Sequence, residues 1–282
     1  MITEIEQKID KLKSQIIGYK REDVLKNIIS LIDLTTLSVN DTKEKVIAMA
    51  EKVNNFVDFF PKHKNVAAIC VYPALVETVR KTLKDKTFNI AAVGAGFPAS
   101  QTFLSVKAAE CELAVNKGAT EIDIVISVGE FLSGNYEKVA FEISVIKNVI
   151  GKTHLKVILE TGELLNLDNI YKASILAIES GADFIKTSTG KTNVSATPEA
   201  VFVMCKAIKE HYEKTGKKIG IKPSGGISIT DEAILYYLIV KEILGEEWLN
   251  NKLFRFGASR LANDVLSELN KLANNNEKIN YF

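Results

Sequence analysis

The feature that most constrains the fold is a set of short apolar runs spread along the chain. They are SLIDLT (30–35), VAAICV (66–71), IAAVGA (90–95), EIDIVI (121–126), LKVILE (155–160), DFIKTS (183–188), KIGIKP (218–223) and LFRFG (253–257). Each is of strand length and mostly continuous rather than polar at alternate positions, the pattern of a strand buried on both faces. Amphipathic stretches lie between them at about 74–85, 101–117, 136–150, 167–180, 231–244 and 259–273. Thr197-Pro198 supplies a cap and a first-turn proline for the helix EAVFVMCKAIKEHY, and Asp41-x-x-Glu44 has the spacing of a capping box before KVIAMAEKVNNF. From Leu31 to Leu253 is 222 residues over seven intervals, about 32 for each, the length of a strand–helix unit with short loops. Eight such units predict an α/β fold, a closed (β/α)8 TIM barrel. An open doubly wound sheet is the alternative, but its glycine-rich dinucleotide turn is missing: Gly94-Ala95-Gly96 runs into Phe97-Pro98 rather than a helix start.

The chain is read as a single domain, 1–282, with an N-terminal helical extension over 1–24 and a flexible polar tail over 274–282. Thr3-x-x-Glu6 is the extension's capping box, and it is expected to pack on the barrel bottom or on a neighbouring subunit. Lysine and arginine total 36 against 35 aspartates and glutamates, so no partnership with nucleic acid or an anionic membrane is expected. Cys70, Cys111 and Cys205 form no CxxC pair, and His63, His154 and His211 are equally dispersed. No metal or other cofactor is therefore expected, and the compartment reads as reducing. With no apolar signal-peptide core and no run near the ~20 residues of a membrane span, the expected location is the cytoplasm.

The informative anomaly lies at the strand ends, where Asp33, Asp123, Glu160, Lys186, Lys222 and Arg255 interrupt runs that otherwise read as buried. The C-terminal strand ends are where this fold carries its active sites. Alternation turns Ile122, Ile124, Ile185, Ile219 and Ile221 toward the helices and leaves Asp123, Lys186 and Lys222 pointing into the barrel. A structural salt-bridge network would explain any one of these charges. It explains the set less well, because two inward lysines on consecutive strands repel one another.

An amine nucleophile must be neutral, and a free lysine has a pKa of ~10.4. Lowering it to about 7.5 takes roughly 4 kcal/mol, close to what a second ammonium ~4 Å away supplies at an effective dielectric of about 20. The pattern suits imine chemistry, in which one lysine attacks a carbonyl, the other holds its pKa down, and Asp123 moves protons. Beside these groups, Gly190-Lys191, Ser224-Gly225-Gly226 and Gly257-Ala258-Ser259 follow the last three strands. Backbone N–H groups in such loops are this fold's usual phosphate site. The expected substrate is a small phosphorylated carbonyl compound.

At these residues the sequence resembles deoxyribose-phosphate aldolase. The likeness runs in order over about residues 25–272, through LIDLTTL, AAICVYP, EIDIVI, KVILETGEL, GADFIKTSTGK, ATPE, GIKPSGGI and RFGAS. It implies a class I, Schiff-base-forming lyase that reversibly cleaves 2-deoxy-D-ribose 5-phosphate to D-glyceraldehyde 3-phosphate and acetaldehyde. It also implies a place in deoxyribonucleotide catabolism and a homodimer. Lys186 matches the family's Schiff-base lysine, Lys222 the lysine that perturbs it, and Asp123 the proton-relay aspartate. By the same likeness Asp33 is an acid that supports the second lysine or the substrate hydroxyl, and Cys70 lies close to the bound aldehyde. Gly190, Lys191, Gly225, Gly226, Gly257 and Ser259 match the phosphate pocket, with Lys191 supplying charge. Glu160 and Arg255 are left to inner structural pairing.

Three positions depart from the family pattern: Gly96 stands where an asparagine is common, Arg260 where a second serine is common, and the chain ends Tyr281-Phe282. Some relatives end in a tyrosine that visits the active site; for Tyr281 a disordered tail is the alternative. Two other functional readings stay open at this stage. One is a transaldolase-like imine-forming barrel acting on a different sugar phosphate, and the other a catalytically silent phosphosugar-binding protein.

Overall fold

The computed structural model describes residues 2–282, so Met1 of the N-terminal extension lies outside the described residues. Helices α1 (Ile2–Lys13), α2 (Ile16–Tyr19) and α3 (Glu22–Ser30) precede the first strand. Strands and helices then alternate as β1 (Ile32–Thr35), α4 (Lys43–Phe59), β2 (Ala68–Val71), α5 (Val76–Thr82), β3 (Asn89–Gly94), α6 (Leu104–Asn116) and β4 (Glu121–Val125). A short α7 (Val128–Leu132) and α8 (Tyr136–Ile150) lead to β5 (His154–Ile158), α9 (Leu167–Glu179), β6 (Phe184–Lys186) and α10 (Pro198–Thr215). The chain closes with β7 (Gly220–Lys222), α11 (Thr230–Leu244), β8 (Phe256–Ala258) and α12 (Leu261–Leu272).

The eight strands are all parallel and pair in the order β7-β6-β5-β4-β3-β2-β1-β8. Parallel bridges from Ile221 to Phe254 and from Ser224 to Gly257 span the remaining gap between β7 and β8. The result is the predicted barrel, nearly closed, with a thin seam. Its apolar alternates, among them Ile69, Ile122, Ile124, Val157, Ile185 and Ile221, join the core between strands and helices. Inside the barrel, β2 and β3 contribute only a small apolar patch of Cys70, Ala91 and Val93, with Leu37 above it. The other strands bring buried charge into the interior, where Arg255 lies 6.0 Å from the Phe184 ring.

Local signals set the element ends. Thr197 caps α10 by accepting from Ala200 N at 3.2 Å, with Pro198 as the first helical residue. For α4 the cap is Thr42, one residue later than the expected Asp41: Thr42 Oγ1 accepts from Lys45 N at 3.3 Å. Asp41 instead accepts from Thr36 Oγ1 at 2.7 Å and Ser38 N at 2.9 Å, folding the β1–α4 loop over the barrel mouth.

Both chain ends pack on barrel helices. The N-terminal extension is helical, as α1 and α2. Ile5, Ile9 and Leu12, spaced to share one helix face, bury α1 against α10 and α11 on the barrel's flank. The segment 274–282, expected to be free, is laid along α12 and α4. Asn263 Oδ1 accepts from both Tyr281 N and Phe282 N at 2.9 Å, and Ile279 N donates to Ser267 Oγ at 2.9 Å. The cause is aromatic burial, since the Tyr281 and Phe282 rings lie 5.8 and 5.5 Å from that of Phe56. Among the described residues no helix is long and apolar enough to cross a membrane.

Candidate active site

Seven ionisable side chains meet inside the barrel, all buried: Asp33, Glu121, Asp123, Lys156, Lys186, Lys222 and Arg255. Strand pairing brings them there, since parallel register aligns Lys186 with Lys222 and Asp123 with Lys156. Asp123 is the hub. Its Oδ2 accepts from Lys186 Nζ and Lys222 Nζ, each at 2.8 Å, and its Oδ1 accepts from Lys156 Nζ at 2.9 Å. Lys222 Nζ also lies 2.5 Å from Asp33 Oδ2, and Lys156 Nζ lies 2.5 Å from Glu121 Oε2. Arg255 spans the two outer carboxylates, reaching Asp33 Oδ1 at 2.6 Å and Glu121 Oε1 at 2.8 Å.

The charges do not cancel if every group is ionised, because three carboxylates face four basic groups. Burial makes an uncompensated charge costly, so the cluster favours loss of a proton from one base. Lys186 is the base with the fewest carboxylate partners. Burial lowers its pKa first, the Lys222 ammonium lowers it further, and the one partner Asp123 only partly opposes them, leaving it below 10.5. Lys222 and Lys156 are buried too, but each has two close carboxylates, and those hold both ammoniums above 10.5. Burial alone would raise Asp123; Lys156, Lys186 and Lys222 outweigh it and keep the carboxyl well below its ordinary value. Asp33 is held down likewise by Lys222, Arg255 and Lys156 against its burial. The Lys222 ammonium contributes to the lowering, but burial is the larger cause of the Lys186 shift.

A cavity of about 540 Å³ opens above Lys186 at the C-terminal strand ends, walled by the loops after β1, β6, β7 and β8. The loops after β6 and β7 touch backbone to backbone: a Cβ on Gly225 would sit 3.2 Å from Gly190 Cα. Thr187 and Ser224 lock them together, with Ser224 N donating to Thr187 Oγ1 at 2.9 Å and Thr187 Oγ1 donating to Ser224 O at 3.1 Å. Among the described residues, the backbone N–H groups of Gly190, Gly225, Gly226 and Ser259 donate to no protein acceptor. These four residues all line the cavity, so it has the donors an anion needs.

Each residue singled out from the sequence can now be placed. Lys186, Lys222, Asp123 and Asp33 converge in the charged cluster. Cys70 is fully buried beside that cluster, and burial pushes its thiol pKa up. Gly190, Lys191, Gly225, Gly226, Gly257 and Ser259 all line the cavity. Lys191 is turned to its rim, where Nζ donates to Leu37 O. Arg260 lies beside Ser259 on the wall, and Gly96 is elsewhere, its N–H donating to Glu110 Oε2 at 2.8 Å. At the tail it is Phe282 that lines the cavity, while Tyr281 Oη donates to Lys52 O at 2.6 Å. Arg255 does pair inside the barrel, but Glu160 does not: its carboxylate accepts from Thr189 in the loop after β6. Glu121 and Lys156 escaped sequence reasoning. Their signal was strand parity, since Glu121 shares a face with Asp123 and Lys156 is the inward residue between Leu155 and Val157.

Comparison with known proteins agrees with this geometry. The family model described as DeoC/LacD family aldolase matches residues 27–244. A Caenorhabditis elegans protein is 47% identical over 268 residues, covering 94% of this chain and 88% of its own. The deoxyribose-phosphate aldolase of Homo sapiens is 45% identical over 247 residues, covering 84% of this chain and 78% of its own. Among solved structures, the tetrameric deoxyribose phosphate aldolase from Aeropyrum pernix superposes with a TM-score of 0.72 at 24% identity, covering 93% of this chain and 97% of its own. The chain belongs to the DeoC/LacD aldolase family.

Proposed function

We propose that the chain cleaves 2-deoxy-D-ribose 5-phosphate reversibly to D-glyceraldehyde 3-phosphate and acetaldehyde through an imine on Lys186, in deoxyribonucleotide catabolism in the cytoplasm. The observation that carries this reading is a buried lysine with a lowered pKa on the floor of a cavity whose wall presents four unbonded backbone N–H groups. Relatives named for this activity support the substrate.

In this scheme the neutral Lys186 amine attacks the open-chain aldehyde carbon, C1, and the carbinolamine loses water to form the iminium. Loss of the C3 hydroxyl proton breaks the C2–C3 bond and releases D-glyceraldehyde 3-phosphate, with the bonding pair drawn into an enamine. Protonation at C2 and hydrolysis then return acetaldehyde and the free amine. Asp123 and Lys222 share one short contact and both reach the nucleophile's surroundings, so they are the pair that exchanges protons with carbinolamine and enamine. Asp33 keeps Lys222 charged, and the unbonded N–H groups hold the phosphate.

Borohydride reduction in the presence of acetaldehyde should leave a two-carbon adduct on Lys186, read by peptide mass. Wild-type activity in Lys186→Met, or an adduct on another lysine, rejects the assignment.

A further inference from the structure

Glu160 is out of place twice over. It is 3% exposed beside a cavity built to take an anion, where a carboxylate repels the ligand. It also adopts φ +56°, a left-handed conformation that non-glycine side chains rarely hold. Its partners account for both. Oε2 accepts from Thr189 Oγ1 at 2.5 Å and Oε1 accepts from Thr189 N at 3.2 Å and, more weakly, from Thr192 Oγ1 at 3.4 Å, so both oxygens reach Thr189 in the loop after β6. With its hydroxyl hydrogen given to Glu160, Thr189 Oγ1 turns a lone pair to Lys191 N, which donates to it at 3.0 Å. The peptides that end in Thr189 N and Lys191 N are thereby fixed, and the Thr189–Gly190 peptide held between them leaves its Gly190 N–H free on the cavity wall beside those of Gly225 and Gly226.

We propose that Glu160 is a positioning residue for the substrate's phosphate: acting through Thr189, it holds the backbone on both sides of the Thr189–Gly190 peptide so that the Gly190 N–H converges with the other free donors on the phosphoryl group. The inference rests on the phosphate reading of the cavity. A carboxylate is required because only two acceptor oxygens can take both Thr189 hydrogens at once; an amide in its place has one acceptor and presents N–H to the other donor.

The test compares 2-deoxyribose 5-phosphate with unphosphorylated 2-deoxyribose in the wild type, Glu160→Gln, Thr189→Val and Thr189→Ser. In Glu160→Gln and Thr189→Val, KM for the phosphorylated sugar should rise about tenfold, with kcat little changed, and inorganic phosphate should inhibit about tenfold more weakly. Reduction of the acetaldehyde imine and kcat/KM for the unphosphorylated sugar should stay at wild-type levels, and Thr189→Ser should restore phosphate preference. Equal losses on both sugars would mean a merely structural role and overturn the proposal, as would an unchanged phosphate preference in either variant. Should Glu160→Gln fail to fold, Thr189→Val and Thr189→Ser decide the matter. A wild type that does not distinguish the two sugars rejects the phosphate reading itself.

Discussion

Lys186 and Lys222 are both lysines on adjacent, aligned positions, both buried and both bonded to the same carboxylate oxygen, yet their pKa values move in opposite directions. The difference is one further carboxylate: Asp33 lies 2.5 Å from Lys222, and Lys186 has no second acidic partner. Two expectations follow from this. Lys222→Met removes one of the three cations that balance three carboxylates, so Lys186 must take over as counter-charge and its pKa must climb. The ascending limb of log kcat/KM, which reports free Lys186 amine, should move to higher pH by about one unit or more, and an unmoved limb would contradict the electrostatic role of Lys222. Lys186→Met should do the opposite to stability. Because the folded pKa of Lys186 lies below 10.5, the unfolded chain binds a proton there that the folded chain does not, and wild-type stability falls as pH drops from 10.5 through the folded value. Methionine removes that penalty and leaves three carboxylates facing three cations. Urea unfolding at pH 7 should show a gain that shrinks to nothing above pH ~10.5. A variant destabilised at pH 7 would contradict the downward shift of Lys186.

At the level of elements, periodicity carried most of the fold. The apolar runs became strands within a few residues, and the stretches read at 136–150, 167–180 and 231–244 became α8, α9 and α11 almost end for end. The three central site residues were legible for the same reason, since a charge on the inward parity of a buried strand is conspicuous. What escaped depended on partners that only the closed barrel supplies. Lys156 sits mid-strand, not at a strand end, and its meaning lies in reaching Glu121 and Asp123 on the neighbouring strand. Glu160 follows the β5 run and read as another inward charge, but its left-handed backbone swings the carboxylate out of the barrel to Thr189. Asp41 had capping spacing, yet Thr42 beside it caps α4 while Asp41 holds its own loop, a choice between neighbours that spacing cannot make. The docked tail was hidden because polarity of NNNEKIN masks the two aromatic residues after it, which carry the burial.

Taken as a whole, the molecule places its least secured strand contact beside Lys222. Strands β1 to β7 and β8 pair through continuous registers except at β7 and β8, where single bridges at Ile221–Phe254 and Ser224–Gly257 complete the barrel. Arg255 tightens this seam from inside by tying β8 to Asp33 on β1 and Glu121 on β4. Gly257 tightens it at the top. A Cβ there would fall 2.6 Å from Ser224 Cβ and 3.2 Å from Lys222 Cε, so only a glycine lets β8 approach β7 this closely. Gly257→Ala should therefore push the seam apart with about 1–3 kcal/mol of overpacking strain, measured as a lower urea midpoint. The displaced loop carries Ser224, and the displaced side chain is Lys222, so the damage should reach function by two routes at once. KM for the phosphorylated sugar should rise as the donor loops separate, and kcat should fall as Lys222 is moved from Asp123. A Gly257→Ala enzyme with wild-type kcat and KM would mean that the seam relaxes without moving either group, and that barrel closure and the proton-exchanging pair are mechanically independent.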